Sequence, residues 1–322
     1  METPEPRQLP VRLELAPCES GIGFALRALR ANGVAFDRGM RWLGLARHQP
    51  IDRQAIRRIA WALNVDADTW GERVVARDPG AAGWVRLAGH RFRRQVASNR
   101  LYAKLCPQCV REQGITRLSW LLRATVGCPR HGYSLIWACQ RCGLGIGWDR
   151  PDIDICRCGY PFRAAPAAPL EEGVAAWQSW LEARLCPTSA AIGDEKVAAL
   201  PAVLAGLSLD GAYRIIEAMG LRAEPNSSVR GDLAQHATPP RLGSVVDRGL
   251  DRLRAIEADP ATAHRYSALT NHQALARLAK DYSTEQDHLV AWWLMNAFRS
   301  DFDPGQTRAG SRPKGQLPLF LL

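Results

Sequence analysis

The 322-residue chain lacks the short motifs that would mark it as a common type of enzyme. No Gly-Lys pair occurs, so there is no GxxxxGK[ST] loop to cradle nucleotide phosphates, and no HExxH supplies a metalloprotease site. None of the seven histidines is followed two residues later by Glu, which removes the His-x-Glu of zinc-dependent base deaminases. The acidic residues form no recognisable nuclease or transposase motif. No stretch approaches 18 consecutive apolar residues, and METPEPRQLP puts acids and prolines where a secretory leader needs a basic run and an apolar segment. A cytoplasmic protein with no membrane partner is the expectation. Negative charge is also scarce: 32 Asp and Glu face 42 Lys and Arg, and the net charge of +10 biases the chain toward a polyanionic partner.

What is present is the composition of a folded chain, 47% apolar and 23% charged, with room for two or three domains. The helical period predicts a mainly α protein. Ile22, Leu26 and Leu29 share one face of a helix over 19–32, with Gly33 as its stop. A second helix is expected at about 37–45. A third, capped by Asp52, carries the stripe Ile56, Ile59, Ala60 and Leu63, and Asp66 begins a fourth turn reaching Trp70. These make an N-terminal helical domain over 1–76, either helix-turn-helix-like or a bundle without DNA contact. Residues 77–104, with Pro79, Gly80, Gly83 and Gly89, read as an irregular basic linker. A cysteine-rich region over 105–163 and a C-terminal helical domain over 164–302 follow. Helices are expected near 208–220, 243–257, 270–280 and 284–299, and the 303–322 tail is expected to be disordered. Trp177, Trp180, Trp292 and Trp293 sit at amphipathic positions and read as core.

Nine cysteines without an export signal imply a reducing compartment, where clustered pairs are more often metal ligands than disulfides. The candidates are Cys106 and Cys109 in CPQC, Cys128 and His131 in CPRH, Cys139 and Cys142 in CQRC, and Cys156 and Cys158 in CRC. A two-residue gap lets both side chains of a knuckle face one cation, and zinc takes four such ligands tetrahedrally. Eight ligands make two sets. Proximity favours the sets 106/109/128/131 and 139/142/156/158, while an interleaved pairing that joins Cys106 and Cys109 to Cys139 and Cys142 stays open. Two structural zinc ions are the expected cofactors, with no coordination position left for activated water. Cys18 and Cys186 stand alone in sequence and read as small buried hydrophobes. His90 has no partner at knuckle spacing.

Between Arg86 and Arg123 the chain carries Arg86, Arg91, Arg93, Arg94, Arg100, Lys104, Arg111, Arg117 and Arg123 against the single acid Glu112. With Phe92 and Tyr102 interleaved, this run suits phosphate contact backed by stacking. A solvated face or a patch for an acidic protein is the competing reading. Arg86, Arg91, Arg93, Arg94, Arg100, Lys104 and Arg111 are the candidate nucleic-acid contacts.

The order of features resembles the TniQ family of transposition proteins, related to the target-selecting protein TnsD. The segments that carry the resemblance are LPVRLELAPCESGIGFALRALRANGV, LCPQCVREQGITRLSWLLRATVGCPRHGYSLIWACQRCG and CRCGYPFR. The central one is the most specific, and Glu19 and Ser20 before an amphipathic helix mark the first. The resemblance implies a non-catalytic adaptor that helps choose an insertion site and recruits an AAA+ ATPase of the TnsC/TniB type. Family members contact DNA or dock on a CRISPR effector with its guide RNA, and some form homodimers. A long C-terminal extension like that of the target-site readers is missing, so the expectation is targeting borrowed from a partner. The rival of a different class is a zinc-containing helix-turn-helix transcriptional regulator.

Overall fold

The computed structural model describes residues 7–43, 50–97, 103–148, 150–187, 200–225 and 238–299. Arg100, Tyr102 and the expected tail over 303–322 lie outside them. The fold is mainly helical and divides into two compact units: Met1–Leu170 with Gln178–Asp194 and Thr238–Pro240, and Glu171–Trp177 with Glu195–Ala237 and Arg241–Leu322.

In the first unit, helix α1 (Gly21–Ala31) starts where Ser20 accepts a hydrogen bond from the Gly23 N–H, satisfying one of the open donors of the first turn. Leu26 and Leu29 are buried and Ile22 half-buried on its apolar face. Helix α2 (Phe36–Trp42) follows. Helix α3 (Arg53–Leu63) is capped by Asp52, which accepts from the Ala55 N–H at 2.8 Å, and ends at Asn64 in the left-handed region at φ 57°. Helix α4 (Ala67–Gly71) buries Trp70, whose Nε1–H donates to the Gly21 carbonyl and ties α4 to the start of α1.

The segment read as an irregular linker is instead ordered structure. Strands β1 (Ala76–Arg77), β2 (Trp84–Leu87) and β3 (His90–Arg93) form an antiparallel sheet, with Val85 opposite Phe92 and Leu87 opposite His90, and a short helix α5 (Arg94–Ala97) follows. Ala88 and Gly89 both have positive φ, the conformation of a two-residue hairpin turn. Strands of four residues flanked by glycines leave too little alternation for a period-2 pattern to stand out.

Helix α6 (Pro107–Gln113) and the hairpin β4 (Gly127–Cys128) and β5 (Tyr133–Ser134) carry the first cysteine knuckles. The chain just before α1 docks beside them. The Ser20 N–H donates to Thr116 O at 2.7 Å, the Leu118 N–H donates to Cys18 O at 2.8 Å, and the Ser20 and Thr116 hydroxyls are 2.7 Å apart. A Cβ on Gly23 would lie 1.8 Å from Thr116 Oγ1, so only glycine permits this approach. Helix α7 (Glu172–Leu185), within which the two units divide, sends Glu182 to Arg117 and carries the chain on to Cys186. Cys18 and Cys186, read as isolated, meet in a disulfide with a Cα–Cα distance of 5.8 Å. Both are buried as expected, but a sequence separation of 168 hid their proximity.

The second unit holds the helices Leu209–Gly220, His272–Lys280 and Glu285–Ala297, the helix Pro239–Ala258 from Arg241 onward, all close to the expected spans, and the 3-10 segment Pro260–Leu269. Gly220 and Gly249 let two helices touch backbone to backbone: a Cβ on Gly220 would stand 1.8 Å from Val245 O. Asp287, fully buried, accepts from the backbone and hydroxyl of Ser208, joining the start of one helix to the start of another. Trp293 is buried but Trp292 is 40% exposed, since neighbours on a helix point about 100° apart. Among the described residues, no helix is long and apolar enough to cross a membrane.

Candidate metal centres

Cys106 sits at the N-cap of α6, which places Cys109 in the first turn of that helix. Cys128 ends β4, and the tight β4–β5 turn returns His131 toward it. The four side chains converge, with His131 Nδ1 3.4 Å from Cys106 Sγ, 3.3 Å from Cys109 Sγ and 3.6 Å from Cys128 Sγ, and Cys109 Sγ 3.5 Å from Cys128 Sγ. All three sulfurs are buried. A second group joins Cys139, Cys142, Cys156 and Cys158, with Cys139 Sγ 3.6 Å from Cys158 Sγ and Cys142 Sγ 3.8 Å from Cys156 Sγ. This set is nearer solvent, and Cys142 is exposed. No interleaved set appears among the described residues.

The fit to a metal can be judged from the edges. Ligands about 2.0–2.3 Å from a tetrahedral centre stand roughly 3.3–3.8 Å from one another. The observed separations of 3.3–3.8 Å match that range, so each group could hold one metal ion. The thiols also perturb one another: hydrogen bonds from Cys109 and then Cys128 push Cys106 down to about 2, and the same contact with Cys106 pushes Cys109 up. Cys128 is likewise pushed up, to about 12, first by its contact with Cys106, so a cation would bind with loss of the protons that these thiols otherwise share.

One functional side chain escaped sequence reasoning. Glu112 Oε1 lies 3.0 Å from His131 Nε2, on the far side of the ring from the sulfurs, and Arg130 approaches the same carboxylate at 3.2 Å. A carboxylate there fixes the tautomer that leaves Nδ1 free to bind metal and raises its basicity. Glu112 occupies the last position of CPQCVRE, six residues beyond Cys106 and at the end of α6, so the signal lay in the motif itself.

The structure disperses the basic run. Lys104 is 1% exposed, and its Nζ donates to the carbonyls of Leu122 and Thr125, each at 2.5 Å; burial, with Arg123 beside it, pushes the group down to about 7. Arg117 and Arg123 are also buried. Arg86 and Arg91 pair with Asp78 at 3.2 and 3.1 Å, and the guanidinium groups of Arg91 and Arg93 stack over Trp84. Burial alone would raise the Asp78 carboxyl, but the Gly80 N–H, Arg91 and Arg86 hold it below its ordinary value. Arg94 is half-buried, Arg111 donates to Arg163 O, and Phe92 lies in the core instead of offering a stacking face. His90 Nε2 lies 3.0 Å from Arg184 O, away from both cysteine groups.

No curated protein matches the chain. The helices α1 to α6, the three-stranded sheet and the whole first ligand set fall within residues 10–135, the segment that matches the TniQ family model.

Proposed function

We propose that the chain is a non-catalytic DNA transposition adaptor that helps select the target site and recruits an AAA+ ATPase of the TnsC/TniB type, with DNA as its other partner. The observation that carries this reading is the TniQ domain over residues 10–135, within which the pre-α1 segment docks on Thr116 and Leu118 between the two knuckles of the first ligand set. Coupling to a CRISPR effector with guide RNA and assembly as a homodimer belong to the same proposal.

The metal in each group is zinc, with Cys106, Cys109, Cys128 and His131 as one ligand set and Cys139, Cys142, Cys156 and Cys158 as the other. The donor set supports it, since closed Cys₃His and Cys₄ sets suit a structural zinc whose binding free energy becomes folding free energy. The protein's own residues do the remaining work. Glu112 orients His131, Arg117 and Glu182 join the segment after α6 to α7, and Ser20 and Thr116 hold the start of α1 against the knuckle. In this reading the N-terminal helical domain over 1–76 and the metal-binding region over 105–163 form the recognition surface, and the C-terminal helical domain over 164–302 is a partner platform. Arg86, Arg93, Arg94, Arg100 and Arg111 are auxiliary nucleic-acid contacts.

The test is co-sedimentation of the protein with the ATPase assembled on target DNA. Recruitment that is lost in Cys106→Ala is expected. Binding no greater than that of Cys106→Ala refutes the adaptor reading.

A further inference from the structure

Helix α3 presents a surface that the basic run between Arg86 and Arg123 does not. At 100° per residue, Arg53, Arg57, Trp61 and Gln54 fall within an arc of about 100°, and all four are exposed. Trp61 is 50% exposed, an unusual setting for the largest side chain in the chain's repertoire. Arg58 flanks the arc, half-buried. The opposite face carries Ala55, Ile59, Ala60, Ala62 and Leu63 into the core, so the helix is firmly seated and the arc is rigid. No residue of α3 is acidic, and its capping Asp52 is engaged with the Ala55 N–H. By contrast, Arg86 and Arg91 on the sheet share the carboxylate of Asp78.

From this arrangement we infer that α3 is the element that enters the major groove of double-stranded DNA; the inference rests on the adaptor reading, which supplies DNA as a partner. The charge on the arc is complementary to phosphate, and a groove about 12 Å wide admits one α-helix. A-form RNA has a deep, narrow major groove that excludes a helix, which favours DNA as the duplex. Gln is the side chain that pairs bidentately with adenine edges, and here Gln54 stands in the first turn of the helix, between Arg53 and Arg57, which meet phosphate. Trp61, two turns beyond Arg53, provides apolar contact with the sugar backbone at the groove's edge. An acidic protein surface would be met by the arginines alone and gives Gln54 and Trp61 no role.

Fluorescence anisotropy with a short labelled DNA duplex, titrated across a range of salt concentrations, tests the assignment in the full chain. Arg53→Ala/Arg57→Ala is expected to weaken binding by at least about tenfold and to make the logarithmic salt dependence shallower by roughly 2. Gln54→Ala is expected to change sequence preference while leaving the salt dependence as it is. Zinc content and near-ultraviolet circular dichroism, unchanged in these surface variants, separate the effect from unfolding. Wild-type affinity in the double arginine variant, with the loss appearing in Arg86→Ala/Arg93→Ala instead, overturns the inference and leaves the adaptor reading standing. Preference for an A-form RNA duplex or an acidic peptide over DNA also overturns it. Wild-type protein that recruits the ATPase but binds no duplex overturns it as well, and failure of both assays removes the adaptor reading too.

Discussion

Replacing Glu182 by Gln is expected to be among the most costly single changes in the first unit. Glu182 Oε1 accepts from Arg117 Nε at 2.7 Å and from Nη2 at 2.5 Å, and the two side chains are 2% and 7% exposed. The carboxylate also raises the Arg117 pKa against the opposing effect of burial. Removing one charge of a buried pair leaves the other uncompensated at a cost of about 3–5 kcal/mol. Glu182 Oε2 is buried without a hydrogen-bond partner, so the native pair is incompletely satisfied and the loss should fall near the lower figure. At about 2–4 °C per kcal/mol for a unit of this size, the melting temperature should fall by roughly 10 °C. The pair Arg117→Met/Glu182→Leu should cost less than either single change, because no orphaned charge remains. Differential scanning calorimetry on the zinc-loaded proteins, arranged as a double-mutant cycle, reads both effects. A single-variant loss below about 1 kcal/mol, or strict additivity in the cycle, would refute the assignment of this contact as a buried, mutually dependent pair.

Native mass spectrometry should find two zinc equivalents, falling to one in Cys128→Ser; a single equivalent in the wild type refutes the two-centre assignment. Glu112→Gln keeps all eight ligands and should still weaken zinc retention about 10- to 100-fold in a chelator competition, whereas unchanged retention would deny the carboxylate its orienting part. Gly220→Val should destabilise the second unit by at least about 1–3 kcal/mol in urea denaturation, because its side chain meets the Val245 carbonyl. A phosphine reductant should lower the melting temperature of the wild type and leave Cys18→Ala/Cys186→Ala unmoved; equal response of both proteins would show that the Cys18–Cys186 bond is not what the reductant breaks.

The N-terminal helices were legible because their apolar stripes repeat with the helical period and their starts are marked by Ser20, Asp52 and Asp66, each of which caps a helix. The two ligand groups were legible because each knuckle is local, though the choice between neighbouring and interleaved sets needed the fold. The hairpin of Trp84–Leu87 and His90–Arg93 was hidden by its brevity. The basic run misled for a physical reason: linear density of charge says nothing of direction, and the structure turns Lys104, Arg117 and Arg123 inward while Asp78 takes up Arg86 and Arg91. The contacts of Cys18 with Cys186, and of Arg117 with Glu182, join residues too far apart in sequence for any pattern to reveal them.

The segment Cys18–Ser20 has a further consequence during synthesis. Its backbone and side-chain partners at Thr116, Arg117 and Leu118 emerge about a hundred residues later, and Cys186 later still. At roughly 5–20 residues per second, the start of α1 waits on the order of five to twenty seconds with these anchors missing. During that interval the nascent chain is exposed to chaperones and to its own neighbours on the polysome, and the arrival of the first metal knuckle sets the moment at which the N-terminal helices can become permanent.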